Sequence, residues 1–500
     1  MTKIFLLATA ATLLAGSATF AAQAPTGSTA PSAPAPLDDA SQRGVLVFTP
    51  DFFAAQRPNT ALDMVDRVPG FTTDDGSGAR GFEGAVGNIL INNNRPASKN
   101  DAGTDVLSRT PANRVDRIEL IRGGAPGIDM QGYSVVVNVI LKKGASRQQV
   151  ATWNATLFDG NHDVYGGNYQ FTATNGDRTW GVLLSDGTST SDSNGVGRSV
   201  RRDGAGVLLR DEAYANDGWG GGDSARLNYS GPVGGGKLEA TAQYGIHDWE
   251  EWQRTESQAA LRRSDYAEDT RSGELGLTWI RPLKPRWTLE TRAIHQFEHF
   301  DEVSTGGDTV GGVASPEQRF TAKGDSSESI LRALVRHERS AALTLEAGGE
   351  VAYNMLDTHQ AFTEGGAPVF LPSASVKVEE LRGETFAKGT WRVNPKLTLE
   401  GGLRLETSTI KQSGDAALEK SFFFAKPRFQ ATWTPKANNQ LRFRFERELG
   451  QLDFRDFAAS AAFDDGAVYG GNVDLVPEQR WISELTYERR FWGEGIVTIG

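Results

Sequence analysis

The chain contains no cysteine among its 500 residues. This absence excludes disulfides, thiolate zinc sites, iron–sulfur clusters and a thiol nucleophile. Basic side chains are also in deficit, since 52 Lys and Arg stand against 63 Asp and Glu and the formal net charge is −11. Proteins that bind nucleic acid need a concentrated basic face. Nucleic acid is therefore not expected as the main partner.

Long apolar runs are missing as well, apart from the first residues. Residues 4–15 form an apolar stretch that follows Lys3 and precedes small residues, which is the pattern of a secretory signal peptide. We place this peptide at residues 1–22. No other stretch reaches the about 20 apolar residues that a membrane-spanning helix needs. The exported chain is therefore expected to be either soluble outside the cytoplasm or a membrane-spanning β-barrel.

Enzyme signatures are not found either. Residues 76–81 satisfy the GxGxxG spacing, but neither the preceding buried strand nor the following helix of a dinucleotide site is predicted there. Residues 231–237 resemble a phosphate-binding loop, yet Leu238 stands where a magnesium-binding Ser or Thr is required. His295 and His299 alternate with other residues as in a strand, which places their rings roughly 13 Å apart. We expect no enzyme, no catalytic residues, no metal site and no cofactor.

Two regions precede the bulk of the chain. Residues 23–43 are rich in Pro, Ala and Ser, and are expected to form a flexible periplasmic leader. The sequence pattern of residues 44–145 predicts a compact α+β domain. Asn59 or Thr60 can cap a short helix there, and Gly-rich turns separate strand-like runs at 88–92, 117–122 and 135–142.

From residue 146 to residue 500 the apolar residues recur with a period of two. Leu397, Leu399, Leu403 and Leu405, for example, alternate with charged and polar residues. Short runs of this kind also fit a soluble β-sandwich or propeller. Many runs here span about ten residues and carry Trp or Tyr near their ends, as transmembrane strands do. The pattern favours an antiparallel transmembrane β-barrel, with long polar loops predicted at 187–223, 301–326, 355–375 and 450–478.

Several motifs resemble those of TonB-dependent outer-membrane receptors, in which a plug domain fills a β-barrel. In order along the chain they are residues 61–71, 80–82, 89–98, 117–127 and 135–143. Similar barrel motifs follow at 402–406, 427–429 and 471–478. The resemblance covers nearly the whole exported chain and implies a plug at 44–145 and a barrel at 146–500.

The resemblance implies roles for particular residues. In the family, two plug arginines pair with glutamates of the barrel wall, and we assign this plug latch to Arg80, Gly81, Arg117, Glu119, Arg122 and Gly123. By position, the expected wall partners are Glu446 and Glu484. The alternative is that all of these are solvated charges on strand faces. A short hydrophobic segment that the energy-coupling protein grips, the TonB box, is assigned to Val45, Leu46, Val47, Phe48 and Thr49, although it also reads as the first strand of the plug.

The implied function is energised uptake, across the outer membrane of a Gram-negative cell, of a bulky solute such as a siderophore–iron complex. The implied partners are the TonB–ExbB–ExbD complex, outer-membrane lipid and a small or medium solute, and the protein is expected to be a monomer. The rival is a passive porin-like, signalling or adhesion barrel whose plug is not energised. The sequence does not choose among an iron chelate, a corrinoid and an oligosaccharide.

The number of strands differs from what the resemblance implies. Receptors of this kind have about 22 strands, whereas about 14 or 15 strand-like runs are present here. The chain also ends in mid-strand at residues 497–500, without a terminal aromatic residue. On these grounds we expect a sequence that lacks C-terminal strands.

Overall fold

The computed structural model describes residues 45–76, 82, 87–96, 98–99, 101–122, 130, 133, 135–159, 162–415, 417–436, 438–462, 467–472, 474–491 and 495–500. The signal peptide and the leader lie outside these residues. Within the described residues, the N-terminal domain, called the plug below, contains two short α-helices, two 3-10 helices and four strands. They are β1 (Val45–Phe48), a 3-10 helix (Pro50–Gln56), α1 (Ala61–Val65), β2 (Ile89–Ile91), α2 (Gly103–Ser108), a 3-10 helix (Ala112–Arg114), β3 (Val115–Arg122) and β4 (Val135–Leu141).

The plug is a four-stranded sheet with its own apolar core. The strand order is β1-β3-β4-β2, in which only the β2–β4 pair is parallel. The side chains of Phe53, Met64, Leu107, Ile118 and Val137 lie at its centre with at most 1% of their surface exposed. A core of this kind is what allows a domain of this size to fold as a unit.

Helix α1 begins at the predicted cap. The side chain of Thr60 accepts a hydrogen bond from the backbone N–H of Asp63 at 3.1 Å, and Asp63 accepts one from the N–H of Thr60 at 2.9 Å. This reciprocal pair is a capping box, which satisfies backbone donors that a helix start leaves without partners.

The rest of the chain forms one large antiparallel sheet closed into a barrel. Fifteen strands of the described residues run along the wall, and three short strands, β8, β13 and β16, extend the connections between them. The barrel strands are β5 (Ser146–Thr156), β6 (Val164–Asn175), β7 (Arg178–Thr190), β8 (Gly195–Arg202), β9 (Leu208–Val233), β10 (Gly236–Glu256), β11 (Ala260–Lys284), β12 (Trp287–Val310), β13 (Val313–Ala314), β14 (Gln318–Ser340), β15 (Leu343–Glu364), β16 (Ala367–Val369), β17 (Ser375–Asn394), β18 (Leu397–Gly414), β19 (Leu418–Lys436), β20 (Asn439–Leu449), β23 (Gln479–Phe491) and β24 (Gly495–Ile499). Between β20 and β23 lie a 3-10 helix (Phe454–Phe457) and a small hairpin, β21 (Ser460–Ala462) with β22 (Ala467–Tyr469).

The two ends of the barrel differ. Two-residue turns join β6 to β7, β9 to β10, β11 to β12, β14 to β15, β17 to β18 and β19 to β20. Gly234 and Gly235 in one of these turns both have positive φ, +58° and +76°, as the tightest hairpin turns require. The opposite end carries longer connections. The asymmetry agrees with the sequence prediction, and we call the two ends the short-turn end and the long-connection end.

Three of the four predicted long loops are wrong. Most of residues 187–223, 301–326 and 355–375 belongs to strands that continue beyond the apolar part of the wall. The reason is that backbone pairing does not require an apolar outer face, so polar side chains there do not end the strands. Only residues 450–478 form a connection that is mostly without strands.

The wall is polar inside and apolar outside. Leu381 on β17 leaves 60% of its surface exposed on the outer face, whereas the adjacent Arg382 points into the lumen and leaves 2%. In a soluble β-sandwich or propeller the apolar faces would meet each other, so this arrangement excludes those alternatives. The prediction of a mainly β fold, with an antiparallel barrel and an N-terminal α+β domain, is confirmed.

Outward-facing aromatic residues mark the edges of the apolar band. Trp287 and Phe297 on β12 are ten residues apart, as are Phe423 and Trp433 on β19, and all four are exposed. Ten residues on a strand tilted by about 45° rise about 23 Å, close to the band of about 25 Å on membrane barrels. Among the residues that the structure describes, no helix is long and apolar enough to cross a membrane.

Candidate functional site

The plug contacts inward-facing side chains on opposite parts of the barrel wall, so it lies in the lumen. On one side, Arg122 at the end of β3 meets Glu488 on β23, with its Nη1 2.9 Å from Oε1 of Glu488. Arg122 is 2% exposed and Glu488 is 3% exposed. The Nη2 of Arg122 also donates to the carbonyl oxygen of Pro69 at 3.2 Å, which ties the turn after α1 to the same point.

Two more arginines, both from the barrel, share the carboxylate of Glu488. The Nη1 of Arg442 lies 3.3 Å from its Oε2, and the Nε of Arg490 lies 3.1 Å from its Oε1. We call Arg122, Arg442, Arg490 and Glu488 the latch cluster. The cluster contains three positively charged side chains and one negatively charged side chain. Burial lowers the pKa of Arg122. The cluster lies near the short-turn end, because the next residue of β23, Arg489, pairs with Asn439 at the start of β20.

This arrangement corrects the predicted wall partner of Arg122, while the partner of Arg80 stays a prediction. Arg122 does pair with a wall glutamate, but that residue is Glu488 and neither Glu446 nor Glu484. Glu446 pairs with Arg428 and Arg444, and Glu484 pairs with Arg444, all within the barrel wall. Glu484 and Glu488 are on the same face of β23, so the prediction found the strand and the face but not the residue. Which glutamate on β23 meets Arg122 depends on the height of the plug in the lumen. The sequence motifs do not specify this height.

The remaining predicted latch residues divide into two groups. Arg117 and Glu119 pair with each other within the plug at 2.8 Å, and Glu119 also accepts a hydrogen bond from the fully buried Asn138. The contacts of both residues in the described part of the chain lie within the plug, and their role in a plug–barrel latch stays a prediction. Arg80, Gly81 and Gly123 lie outside the described residues.

A second set of contacts lies across the lumen, on residues 94–101 of the plug. The Nζ of Lys99 is 2.6 Å from Glu328 on β14, and Asn94 donates to Glu239 on β10 at 2.8 Å. Asp101 pairs with Arg226 on β9 at 2.6 Å and with Arg109 of the plug at 2.6 Å. These polar contacts were not predicted, although Asn94 belongs to the motif at residues 89–98.

Among the described residues, apolar contacts join the plug to the wall at Phe82 and at Gly70. Phe82 packs against Ile294, Ile330 and Ala352 in one buried cluster. Gly70, with φ of +71°, faces Ile496 on β24, and a Cβ built on it would come within 2.7 Å of that side chain. Because most of the plug–wall contacts in the described residues are polar, water can replace many of them when the plug moves.

The predicted TonB box is found within the plug sheet. Residues 45–48 form β1, an edge strand that pairs antiparallel with β3, from Val45 opposite Ile121 to Phe48 opposite Ile118. Leu46 and Phe48 pack against the plug core. This placement is the alternative interpretation, the first strand of the plug. An edge strand offers one row of unpaired backbone groups, which another chain can use to add a strand.

One cavity of about 860 Å³ lies between the plug and the wall, toward the long-connection end. Asp75 and Lys99 contribute from the plug, β10, β11, β12, β14 and β15 form the wall, and residues 451–455 cover it. Its size is in the range of sites that enclose a small or medium ligand. Most of its polar groups are amides, hydroxyls and carboxylates.

Residues 451–457, called the inner segment, fold back into the lumen. Arg455 lies 2.9 Å from Glu298 and 2.8 Å from Glu302, and its guanidinium lies over the ring of Phe300 at 4.2 Å. Although burial opposes it, the carboxylates of Glu302 and Glu298 raise the pKa of Arg455, which stays charged. Phe457 is 1% exposed and packs against β17 and β18. The segment therefore forms a fixed cover over part of the cavity.

Comparison with known proteins identified solved structures only. No protein-family model matches the chain, and no curated protein matches it. Three similar solved structures are the siderophore receptor PiuA from Acinetobacter baumannii, the ferric citrate transporter FecA and the ferripyoverdine receptor of Pseudomonas aeruginosa. Their sequence identities are 13%, 13% and 12%, and their TM-scores are 0.43, 0.45 and 0.45.

These likenesses extend over most of this chain but not over the whole of the other proteins. They cover 91%, 89% and 90% of this chain, which spans 71%, 67% and 61% of the three structures in the same order. At TM-scores below 0.5 and identities of 12–13%, they do not establish a function for this chain. The contacts described above carry the argument that follows.

Proposed function

We propose that this chain is a TonB-dependent receptor of the outer membrane, which takes up a bulky solute such as a siderophore–iron complex. The observation that carries the proposal is a separately folded domain inside a barrel with an apolar belt, held to the wall mainly by polar contacts. A porin has no need of a plug, because it works with an open lumen. A plug held by releasable contacts suits a protein that opens when force is applied.

The latch cluster supports release of the plug under force. A buried ion pair is costly to break when one charge is left without a partner. Here Glu488 keeps Arg442 and Arg490 when Arg122 leaves, so no bare carboxylate remains in the wall. The departing Arg122 gains hydration. Displacement of the plug at this point therefore costs less than breaking an isolated buried pair.

In the proposed cycle no covalent bond is formed or broken. The solute enters the cavity from the long-connection end and contacts the plug through Asp75 and Lys99. The TonB–ExbB–ExbD complex then pulls on the N-terminal part of the plug, the polar contacts with the wall exchange for water, and the solute passes. We propose Val45, Leu46, Val47, Phe48 and Thr49 as the segment to which the coupling protein adds a strand.

Energised uptake is tested in cells that produce the protein with and without the coupling protein. We expect accumulation of iron from ⁵⁵Fe-labelled chelates to require both the coupling protein and the proton gradient across the inner membrane. Uptake that persists when either is removed would favour the passive barrel. A signalling or adhesion barrel would give no uptake under any of these conditions.

The proposed role of residues 45–49 as the TonB box is tested with an engineered disulfide. Because the native chain has no cysteine, only the two introduced residues can form it. Val47 lies opposite Glu119 in the β1–β3 pair, so a Val47→Cys/Glu119→Cys variant can join β1 to β3. If β1 must leave the sheet, the oxidised variant loses energised uptake and the reduced variant recovers it. The single variants are the controls. Undiminished uptake by the oxidised protein would show that the coupling protein binds another segment of the chain.

A further inference from the structure

The cavity between the plug and the inner segment carries an excess of negative charge. Among the described residues, its lining contains four carboxylates and two cations, namely Asp75, Glu298, Glu328, Asp453, Lys99 and Arg455. The four carboxylates come from four separate elements of the chain. A solute that enters the cavity meets these groups at short range and partly out of water, where charge acts most strongly.

Both cations are already engaged by carboxylates. Lys99 lies 2.6 Å from Glu328, and its backbone N–H is 3.2 Å from the carboxylate oxygens of Glu274. Arg455 is held between Glu298 and Glu302. An anionic solute would have to compete with these partners for either cation. Neither cation is therefore free to bind an added negative charge.

The remaining two carboxylates have no cationic partner among the described residues. Asp75 accepts a hydrogen bond from the hydroxyl of Thr104 at 2.5 Å. Asp453 accepts one from the backbone N–H of Arg455 at 2.9 Å. Each carboxylate has further lone pairs that can accept hydrogen bonds from a ligand. Both charges are thus available to a ligand that brings donors.

A buried amide in the lining adds a second, independent indication. Asn354 is 6% exposed, and its Oδ1 has no hydrogen-bond partner, whereas its Nδ2 donates to Glu380 at 3.2 Å. A buried acceptor without a partner is costly. Gln296 in the same lining also donates a hydrogen bond within the protein, from its Nε2 to Glu328 at 2.8 Å. Both amides use a donor within the protein, and Asn354 keeps an acceptor without a partner.

We infer that the cavity selects a neutral or cationic solute that presents N–H or O–H donors, and that it disfavours strongly anionic chelates. This inference rests on the proposed function for its site and adds the class of ligand. Electrostatic complementarity of this kind sets specificity more than total affinity. It also raises the local concentration of cations at the mouth of the cavity.

The test compares two ligands that differ at one terminal amine, which is cationic in the first and carries a succinyl carboxylate in the second. The probes are the iron(III) complex of a linear trihydroxamate with a terminal ammonium group, and the same complex with that amine succinylated. Binding to the purified full chain in lipid nanodiscs is measured by titration calorimetry. We expect the ammonium form to bind at least about tenfold more tightly, because two nearby carboxylates act on opposite charges in the two probes. An iron tricatecholate trianion should bind more weakly still.

Two variants link any preference to the cavity. The double variant Asp75→Asn/Asp453→Asn keeps the shape of both side chains and removes both charges, so the preference should shrink to within about threefold. Asp325→Asn is the matched control, since Asp325 is on the outer face of β14, 68% exposed and paired with His299. The control should retain the full preference.

The possible results separate clearly. Tighter binding of the succinylated probe or of the trianion overturns the inference, as does failure of the ammonium probe to bind. A preference that survives Asp75→Asn/Asp453→Asn also overturns it. Because equilibrium binding needs no coupling protein, the proposed function is judged separately. Energised uptake of an anionic chelate would leave the function standing and refute the ligand class.

Discussion

At the scale of single residues, the balance of charge around Glu488 decides how firmly the plug is held. Three arginines share this one carboxylate, and Arg122, which comes from the plug, is the only one of them that must leave for the plug to move. Removing the carboxylate therefore has a different consequence from removing one arginine. The first leaves several buried positive charges together, while the second leaves a carboxylate that is still paired.

We predict that Glu488→Gln destabilises the plug–barrel contact by about 3–5 kcal/mol, and Arg122→Met by only about 1–3 kcal/mol. The measurement is hydrogen exchange of peptides from β3 in the reconstituted protein at increasing urea, with Arg117→Met as the control within the plug. A larger effect of Arg122→Met than of Glu488→Gln would contradict the release mechanism.

The capping box of α1 gives the plug a dependence on pH. Backbone hydrogen bonds from Thr60 and Asn59 lower the pKa of Asp63. A carboxyl group whose pKa is lower in the folded state stabilises that state above its unfolded pKa. This contribution is lost as the pH falls through the folded pKa.

We therefore predict that α1 opens more readily below about pH 4, the ordinary range of a carboxyl group. Exchange rates of the α1 amides, corrected for their intrinsic dependence on pH, should rise there in the native protein. Asp63→Asn should open more readily at neutral pH and show a flatter pH profile. An unchanged profile in this variant would show that another group is responsible.

At the scale of elements, the inner segment combines a charged contact with an apolar anchor. Arg455 fixes one side of the cavity cover through Glu298 and Glu302, while Phe457 packs against β17 and β18. Motifs did not reveal this segment, and the sequence pattern predicted a long polar loop at residues 450–478. Its inward course becomes evident only from the buried aromatic residue and its partners.

We predict that Phe457→Ala releases the inner segment, because deletion of a buried phenyl group costs about 3–5 kcal/mol. The expected result is faster cleavage within residues 450–478 by trypsin added to the outside of intact cells. Tyr469→Ala, at an exposed aromatic residue of the same connection, is the control and should leave the cleavage rate unchanged. Equal cleavage of Phe457→Ala and native protein would show that the anchor does not hold the segment.

At the scale of the whole molecule, the polar interior and the apolar exterior of the wall require a membrane around it. Leu403 on β18 faces outward near the middle of the apolar band. Ser413 faces outward on the same strand, beyond that band and beside Lys377 of β17. The two positions differ in depth and share the same strand and face.

We predict that Leu403→Arg destabilises the barrel in lipid vesicles by about 2–4 kcal/mol, as expected for arginine near the membrane midplane. Ser413→Arg should cost about 0–1 kcal/mol, because that depth is close to or beyond the interface. Urea unfolding in vesicles measures both. Equal costs at the two positions would contradict the assigned membrane depth.

The sequence by itself determined the division into plug and barrel. A period of two with polar residues on the alternate positions requires strands with one apolar face, and the aromatic residues at the ends of the runs indicated a membrane. The helix cap at Thr60 and the strands of the plug also follow from local patterns, because caps and turns depend on a few adjacent residues. The predicted loops failed where strands continue with polar outer faces, since pairing between backbones is not visible in composition.

Only the tertiary structure decided which residues meet in the lumen. Lys99 and Glu328 are 229 residues apart in sequence, and their contact depends on how the sheet closes and at what height the plug sits within it. The same is true of Arg122 and Glu488. Several arginines and glutamates occur at equivalent inward positions on neighbouring strands. The sequence alone therefore does not select which of them form ion pairs with the plug. The register of the strands and the seating of the plug select one of them and create the cavity above it.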